Sequence, residues 1–308
     1  AGVPYYERFV EAFPTVQALA AADEDDVLAL WSGLGYYNRA RNLHTAAQTI
    51  AVDRQGRFPQ TAEAWRRLPG VGPYTAAAVA SIAFGEPVAA VDGNVKRVLA
   101  RVFRFRESID TPAASATLGA LAQAVVSNEY PGDCNQALME LGARVCVPRS
   151  PQCGACPVRR LCAARAKGEQ AALPVRKAKE RTPHRTVVAG AIERRGRFLL
   201  GKRQPGGMLP GLWEFPGGTV HGGESHAAAL ARIVQETTGL DVAVGEALGR
   251  VEHAYSHFRI TLHLYACQAP AGRPRKDHYT DVQWVARSRL ADRALPASDR
   301  KLLARLGG

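Results

Sequence analysis

The parts of this 308-residue chain best suited to chemistry are a carboxylate, a glycine hairpin and a run of cysteines. Leu68-Pro69-Gly70-Val71-Gly72-Pro73-Tyr74-Thr75 is followed, eighteen residues after Tyr74, by Asp92 within Val91-Asp92-Gly93-Asn94-Val95-Lys96-Arg97. Gly70 and Gly72 fit a tight turn, because glycine reaches positive φ with no Cβ penalty. Pro73 suits the first position of a helix and Gly85 the residue past its end, which predicts a helix over Tyr74 to Phe84. A turn that opens a helix presents backbone N–H groups, and these suit a phosphate. Such a glycine pair also makes an ordinary loop, and Asp92 before Gly93-Asn94 also makes a turn or a helix N-cap.

Cys146, Cys153, Cys156 and Cys162 leave gaps of six, two and five residues. Four thiols this close could hold zinc, pair as disulfides or ligate an iron–sulfur cluster. Zinc ribbons more often use two distant Cys-x-x-Cys knuckles, so one compact run reads as a cluster loop. Arg149, Arg159 and Arg160 lie within the loop and could touch phosphate. Cys134 and Cys267 are expected to be buried thiols.

Three further stretches carry functional residue types. Gly33-Leu34-Gly35-Tyr36-Tyr37-Asn38-Arg39-Ala40-Arg41-Asn42-Leu43 is either a turn with a solvated basic helix or a wedge for stacked bases, with cations on phosphates. Tyr255-Ser256-His257-Phe258 is either a plain hairpin turn or a reading loop. In the second case Ser256 faces base edges and His257 a phosphate. Gly211-Leu212-Trp213-Glu214-Phe215-Pro216-Gly217-Gly218, with Glu224 and a helix running to Gly239, resembles a Nudix box. That box needs several glutamates for Mg²⁺. Only Glu236 of the trio remains in Gln235-Glu236-Thr237, which argues against pyrophosphate hydrolysis.

Taken together, the hairpin, the Asp92 segment and the cysteine spacing resemble the helix–hairpin–helix DNA glycosylase superfamily, and within it the adenine DNA glycosylases of the MutY type. The resemblance spans nearly the whole chain. It implies excision of adenine mispaired with 8-oxoguanine or guanine in double-stranded DNA, and a [4Fe–4S] cluster on the four cysteines. Asp92 becomes the carboxylate beneath the flipped nucleotide's sugar, with Tyr74 and Asn94 orienting it. Gly70, Gly72 and Lys96 become phosphate contacts. Tyr36 inserts beside the lesion with Leu34 nearby, and Gln136 lines the adenine pocket. The family's Phe-Ser-His loop maps to Tyr255, Ser256 and His257 for 8-oxoguanine recognition, with tyrosine replacing phenylalanine. Endonuclease III carries a lysine where Tyr74 stands. Tyrosine cannot form a Schiff base, so a monofunctional glycosylase is expected. The family's proton-donating glutamate lies on a helix ahead of Ala1, and the abrupt uncapped start points to a missing N-terminal segment. The alternatives are a lesion-binding fragment crippled in catalysis and a Nudix-type hydrolase with a DNA-binding appendage.

The elements that must carry these groups follow from period. Residues 1–145 read as successive helices joined by short polar or Gly/Pro breaks, with Thr15, Thr61 and Thr111 as caps. From Thr186 the period changes. Strands are predicted over Thr186–Ile192, Arg197–Gly201, Ile260–Cys267 and Val282–Val285, with a helix over Ser225–Thr238. The expected architecture is an all-α helix–hairpin–helix glycosylase domain with a [4Fe–4S] loop (1–162, loop 146–162), a basic linker (163–185), and an α+β Nudix-like domain (186–308). Net charge is +12, which favours an anionic partner, nucleic acid ahead of a membrane surface, although a basic surface also serves solubility. No apolar run reaches the length of a transmembrane helix, and no secretory signal is visible. A monomer is expected, in a bacterial cytoplasm beside the nucleoid.

Overall fold

The helix signals translate directly into structure. In the computed structural model, which describes residues 2–178, 182–255, 257–268 and 272–306, side-chain hydroxyls cap four of the helices. Thr15, Thr61, Thr111 and Ser225 each accept a backbone N–H three residues on. The helices are α1 (Val3–Ala12), α2 (Val16–Ala21), α3 (Glu24–Trp31), α4 (Asn38–Val52), α5 (Ala62–Trp65), α6 (Pro73–Phe84), α7 (Gly93–Val102), α8 (Pro112–Val125) and α9 (Pro131–Glu140). A π-turn, Leu141–Val145, extends α9 toward the cysteine loop, and α10 (Ala163–Ala166) leaves it.

The α+β part is one mixed sheet. Its strands are β1 (His184–Arg194), β2 (Arg197–Arg203), β3 (Trp213–Glu214), β4 (Gly217–Thr219), β5 (Ala243–Ala254), β6 (Arg259–Gln268) and β7 (Tyr279–Ala286). They run β3-β2-β1-β6-β5, with β4 also on β1 and β7 also on β2. Among the described strands of this sheet only β1 and β6 pair in parallel, with Val188 opposite His263. Period-two alternation sorts the side chains. Val188, Ile192 and Leu199 pack under α11 (His226–Thr238) with Leu230 and Val234. Ala189, Ala191, Phe198, Leu200 and Leu264 build the opposite core with Leu302 of α12 (Ala297–Leu306).

Chain contacts group the residues differently from sequence order. One compact unit joins 1–51 to 181–308, and the other is 52–180. In the first, Val27, Leu28, Tyr37 and Ala40 share a core with Leu212 and Ala294. Tyr37 Oη and Ser32 Oγ donate to Leu295 O at 2.8 and 3.1 Å. Arg41 bonds Pro210 O and pairs with Glu24, and Lys202 pairs with Asp25. The stretch expected to be a linker is likewise fastened down as far as it is described. Glu169 holds Arg104 and Arg106, Arg101 holds Leu173 O, and Lys177 N–H donates to Asp110. Its basic composition hid these partners, which come from α7 and the turn beyond it.

Candidate functional site

Asp92 caps α7. Its Oδ1 accepts the Val95 N–H at 2.7 Å and its Oδ2 accepts Asn94 Nδ2 at 2.8 Å. The capping and carboxylate readings are therefore compatible, since the cap fixes the group while leaving it half-buried rather than sealed. Asn94 Oδ1 accepts Arg97 Nη2 at 2.8 Å. Arg97 also donates to Gly142 O at 2.7 Å and Cys146 O at 2.8 Å. A hydrogen-bond chain thus runs from the carboxylate to the first loop cysteine. The Tyr74 phenol is exposed, 3.2 Å from Met139 Sδ, and its pKa is pushed up by partial burial and then by the negative charge of Asp92. Such a fixed carboxylate beside a phenol can stabilise a cation that forms next to it.

The hairpin needs one correction. Gly70 has φ +71°, as a tight turn demands, but Gly72 is the extended N-cap of α6 with φ −82°. A Cβ at Gly72 would meet nothing within 4 Å, so no contact among the described residues requires glycine there. Gly85 does close α6 in the left-handed conformation. Lys96 Nζ donates to Ser115 Oγ at 2.8 Å. Gln136 is exposed rather than a core residue, and its amide bonds Gly132 O in its own helix.

All four loop cysteines line one cavity, together with Arg101 and Arg159. Burial and then the nearby sulfurs of Cys146, Cys162 and Cys153 push the Cys156 thiol up. No three His, Cys, Asp or Glu side chains among the described residues converge as on one ion. A single zinc would need sulfurs about 3.8 Å apart around a 2.3 Å bond. Four thiols ringing a shared cavity instead fit a polynuclear cluster. Cys134 is partly exposed and Cys267 is buried, its thiol pushed up to about 11 by burial.

In the other unit, two separately recognised stretches meet. Leu34, Tyr36, Arg39 and Asn42 line a cleft of about 500 Å³ with His253, Tyr255, His257 and Phe258. Gly33, Gly35 and Tyr36 all have positive φ, a backbone that presents Tyr36 outward at 70% exposure. Trp31 Nε1 ties the turn down by donating to Gly35 O at 3.0 Å. Ser256 lies outside the described residues. Beneath the loop, Tyr255 Oη bonds Ser298 Oγ, which donates to Asp299 at 3.0 Å. Burial raises the Glu214 carboxyl to about 7 against the pull of Arg203, and raises Asp299 to about 6. In the sequence Glu214 is only a letter of the Nudix-like motif, and Asp299 carries no signal.

The remnant of that motif is neutralised internally. Arg232 grips Glu224 with two bonds, 2.8 and 2.9 Å, and reaches Glu236 at 3.2 Å. The Glu224 carboxyl falls to about 2, chiefly through its bonds to Arg232 and secondarily through the His221 amide. Carboxylates already paired to a guanidinium are poor Mg²⁺ ligands.

Family comparisons agree with this arrangement. Residues 1–124 match the HhH-GPD superfamily of base-excision DNA repair proteins, residues 146–162 the iron–sulfur binding domain of endonuclease III, and residues 187–305 the NUDIX domain. The chain is therefore a helix–hairpin–helix base-excision repair protein with a [4Fe–4S] loop and a Nudix-like α/β domain. Adenine DNA glycosylases of Rattus norvegicus and Homo sapiens are 35% and 34% identical over 97% of it, and that of Schizosaccharomyces pombe is 32% identical over 93%. The chain spans 67%, 64% and 72% of those relatives' lengths. It belongs to the adenine DNA glycosylase family.

Proposed function

We propose that the chain is a monofunctional adenine DNA glycosylase of base-excision repair, hydrolysing the N-glycosidic bond of adenine mispaired with 8-oxoguanine. Its functional modules are residues 1–162 and 186–308. The observation that carries this reading is Asp92: a half-buried carboxylate held by two neutral donors, within electrostatic reach of an exposed phenol. Adenine inside a duplex is unreachable, so the nucleotide must turn out of the stack. As the bond to the base breaks, the sugar gains positive charge, which the Asp92 carboxylate stabilises. Water then adds its oxygen to the sugar carbon, and adenine leaves with a proton. Asn94 holds the carboxylate's orientation. With tyrosine at position 74, no amine is present to take the sugar as a Schiff base, and strand cleavage is not part of the reaction.

Cys146, Cys153, Cys156 and Cys162 hold the [4Fe–4S] cluster, whose contribution is to fix the loop and its arginines. The amides after Gly70 and the open face of Gly72 receive a phosphate. The cleft lined by Leu34, Tyr36, Tyr255 and His257 supports the choice of partner base, because an intercalating aromatic and a polar loop face the same space. The test is Asp92→Asn, since asparagine also caps helices well and should preserve α7. Base release from an adenine:8-oxoguanine duplex should fall by about 10²–10⁴-fold with duplex affinity kept. Equal rates for the two proteins would remove Asp92 from the mechanism. Tight duplex binding by both without measurable release would favour a lesion-binding role instead.

A further inference from the structure

Arg101 is 2% exposed and is among the largest fully buried side chains in the protein. Its Nε donates to Leu173 O at 2.8 Å and its Nη2 to Pro148 O at 3.1 Å. Its Nη1 is shared among Val147 O at 2.8 Å, Cys146 O at 3.2 Å and Cys146 Sγ at 3.3 Å. Every oxygen partner is a neutral carbonyl, and no carboxylate pairs with it among the described residues. Arg97, one helical turn earlier, is also buried, and its oxygen partners too are neutral amides and carbonyls. Burying a guanidinium without an anion costs several kcal/mol, and two side by side cost more. The missing anion has one evident source. Arg101 lines the cavity ringed by Cys146, Cys153, Cys156 and Cys162, and a cluster held by four thiolates is a buried anion.

We propose that Arg101 is the cluster's internal counter-ion, a positioning residue whose charge and N–H···S bond raise the cluster's reduction potential. This rests on the four cysteines being the ligands. The two arms of the side chain do separate work. The carbonyl bonds clamp the backbone from Cys146 to Pro148 and tie it to Leu173. The bond to Cys146 Sγ withdraws electron density from the sulfur, and the positive charge favours whichever cluster state carries one more electron. Arg97 adds its charge near Cys146 and bonds the Cys146 carbonyl, but among the described residues the N–H···S bond comes from Arg101.

The experiment compares the cluster-loaded chain with Arg101→Lys and Arg101→Gln. Voltammetry follows the one-electron couple, the electrode supplying and taking the electron, and iron content reports retention under a chelator. Arg101→Gln should shift the oxidised-to-reduced equilibrium about tenfold toward oxidised, a fall of about 59 mV for one electron. Arg101→Lys keeps the charge and should fall by less than half of that. Both should lose iron faster, since both weaken the clamp. Equal potentials in all three proteins would reduce Arg101 to a backbone clamp and overturn the proposal. Should Arg101→Gln fail to hold a cluster, retention decides: iron kept by the lysine variant alone supports the counter-ion, and iron lost equally by both overturns it. Neither readout involves DNA, so the result stands apart from whether adenine is the base released.

Discussion

Replacing Gly142 with alanine would test whether the π-turn beneath Asn94 sets the position of Asp92. A Cβ there would lie 2.7 Å from Asn94 Cβ and 2.9 Å from Asn94 O. Carbon atoms rest at about 3.5 Å or more, so relief needs a movement of roughly 0.8 Å. Asn94 is two residues from Asp92 and holds its Oδ2, so the movement passes directly to the carboxylate. Misplacing a reacting group by about 1 Å can cost about 10²-fold in rate, while overpacking costs about 1–3 kcal/mol in stability. Gly132→Ala supplies the control. Its Cβ would meet Ile82 Cα and Ser81 O at 2.9 Å, a slightly milder crowding whose nearest atoms do not include Asn94. Single-turnover release of adenine, measured with thermal unfolding on the same samples, should show both variants destabilised and only Gly142→Ala slowed by about 10²-fold. Equal slowing in the two variants, or none in Gly142→Ala, would refute the reasoning.

The remaining predictions concern the Nudix-like unit and its cleft. Glu214 and Asp299 keep their protons to about pH 7 and 6 in the folded protein. Their contribution is complete below the unfolded carboxyl range and lost as pH rises through those values, so thermal stability should fall from pH 5 to 8. For Glu214, raised from 4.5 to about 7, the loss is on the order of 3 kcal/mol, and melting curves of Glu214→Gln should lose most of that slope. Glu224 and Glu169, both lowered to about 2, act in the opposite sense and only in acid, outside this window. Arg232→Glu removes the guanidinium between Glu224 and Glu236 and adds a third carboxylate; titration calorimetry should detect Mg²⁺ binding that the unaltered chain lacks, and silence in both would remove the internal-cation account. Tyr36→Ala removes a stacking aromatic worth about 1–3 kcal/mol, so affinity for an adenine:8-oxoguanine duplex should drop roughly 5- to 150-fold by fluorescence anisotropy. An unchanged affinity would take Tyr36 out of the interface.

Sequence period and capping chemistry located most elements but not their alliances. The helix from Pro73 to Gly85 and the strands around Val188, Leu199 and Leu264 followed from glycine, proline and alternation. Strand β5 escaped because Val-Gly-Glu-Ala-Leu-Gly does not alternate; bulges between Val244 and Ala247 and between Ala247 and Gly249 break its register. The buried arginines were hidden for a different reason. Arg97 and Arg101 lie one turn apart on α7, and such a pair on a basic helix reads as solvated until the cysteine loop folds back over it. Their spacing, close after Asp92 and well before the cysteines, was the available signal. The turn at Gly33–Tyr36 and the loop at Tyr255–His257 were each legible alone. Their convergence depends on contacts between residues more than two hundred positions apart, which no local pattern encodes.

Ser32 bonds Leu295 O across 263 positions of chain and Tyr37 bonds it across 258. On a ribosome adding about 5–20 residues per second, the segment holding Ser32 and Tyr37 therefore waits roughly 13–50 s for its partner to be made. During that interval the faces around Val27, Leu28 and Ala40 gain Leu212 first and Ala294 only at the end, and until then they stay open in part to chaperones and proteases. A nascent chain stopped ahead of Leu290 would carry the whole cysteine loop and Leu212, yet would lack Ala294 and the Leu295 carbonyl that close those faces.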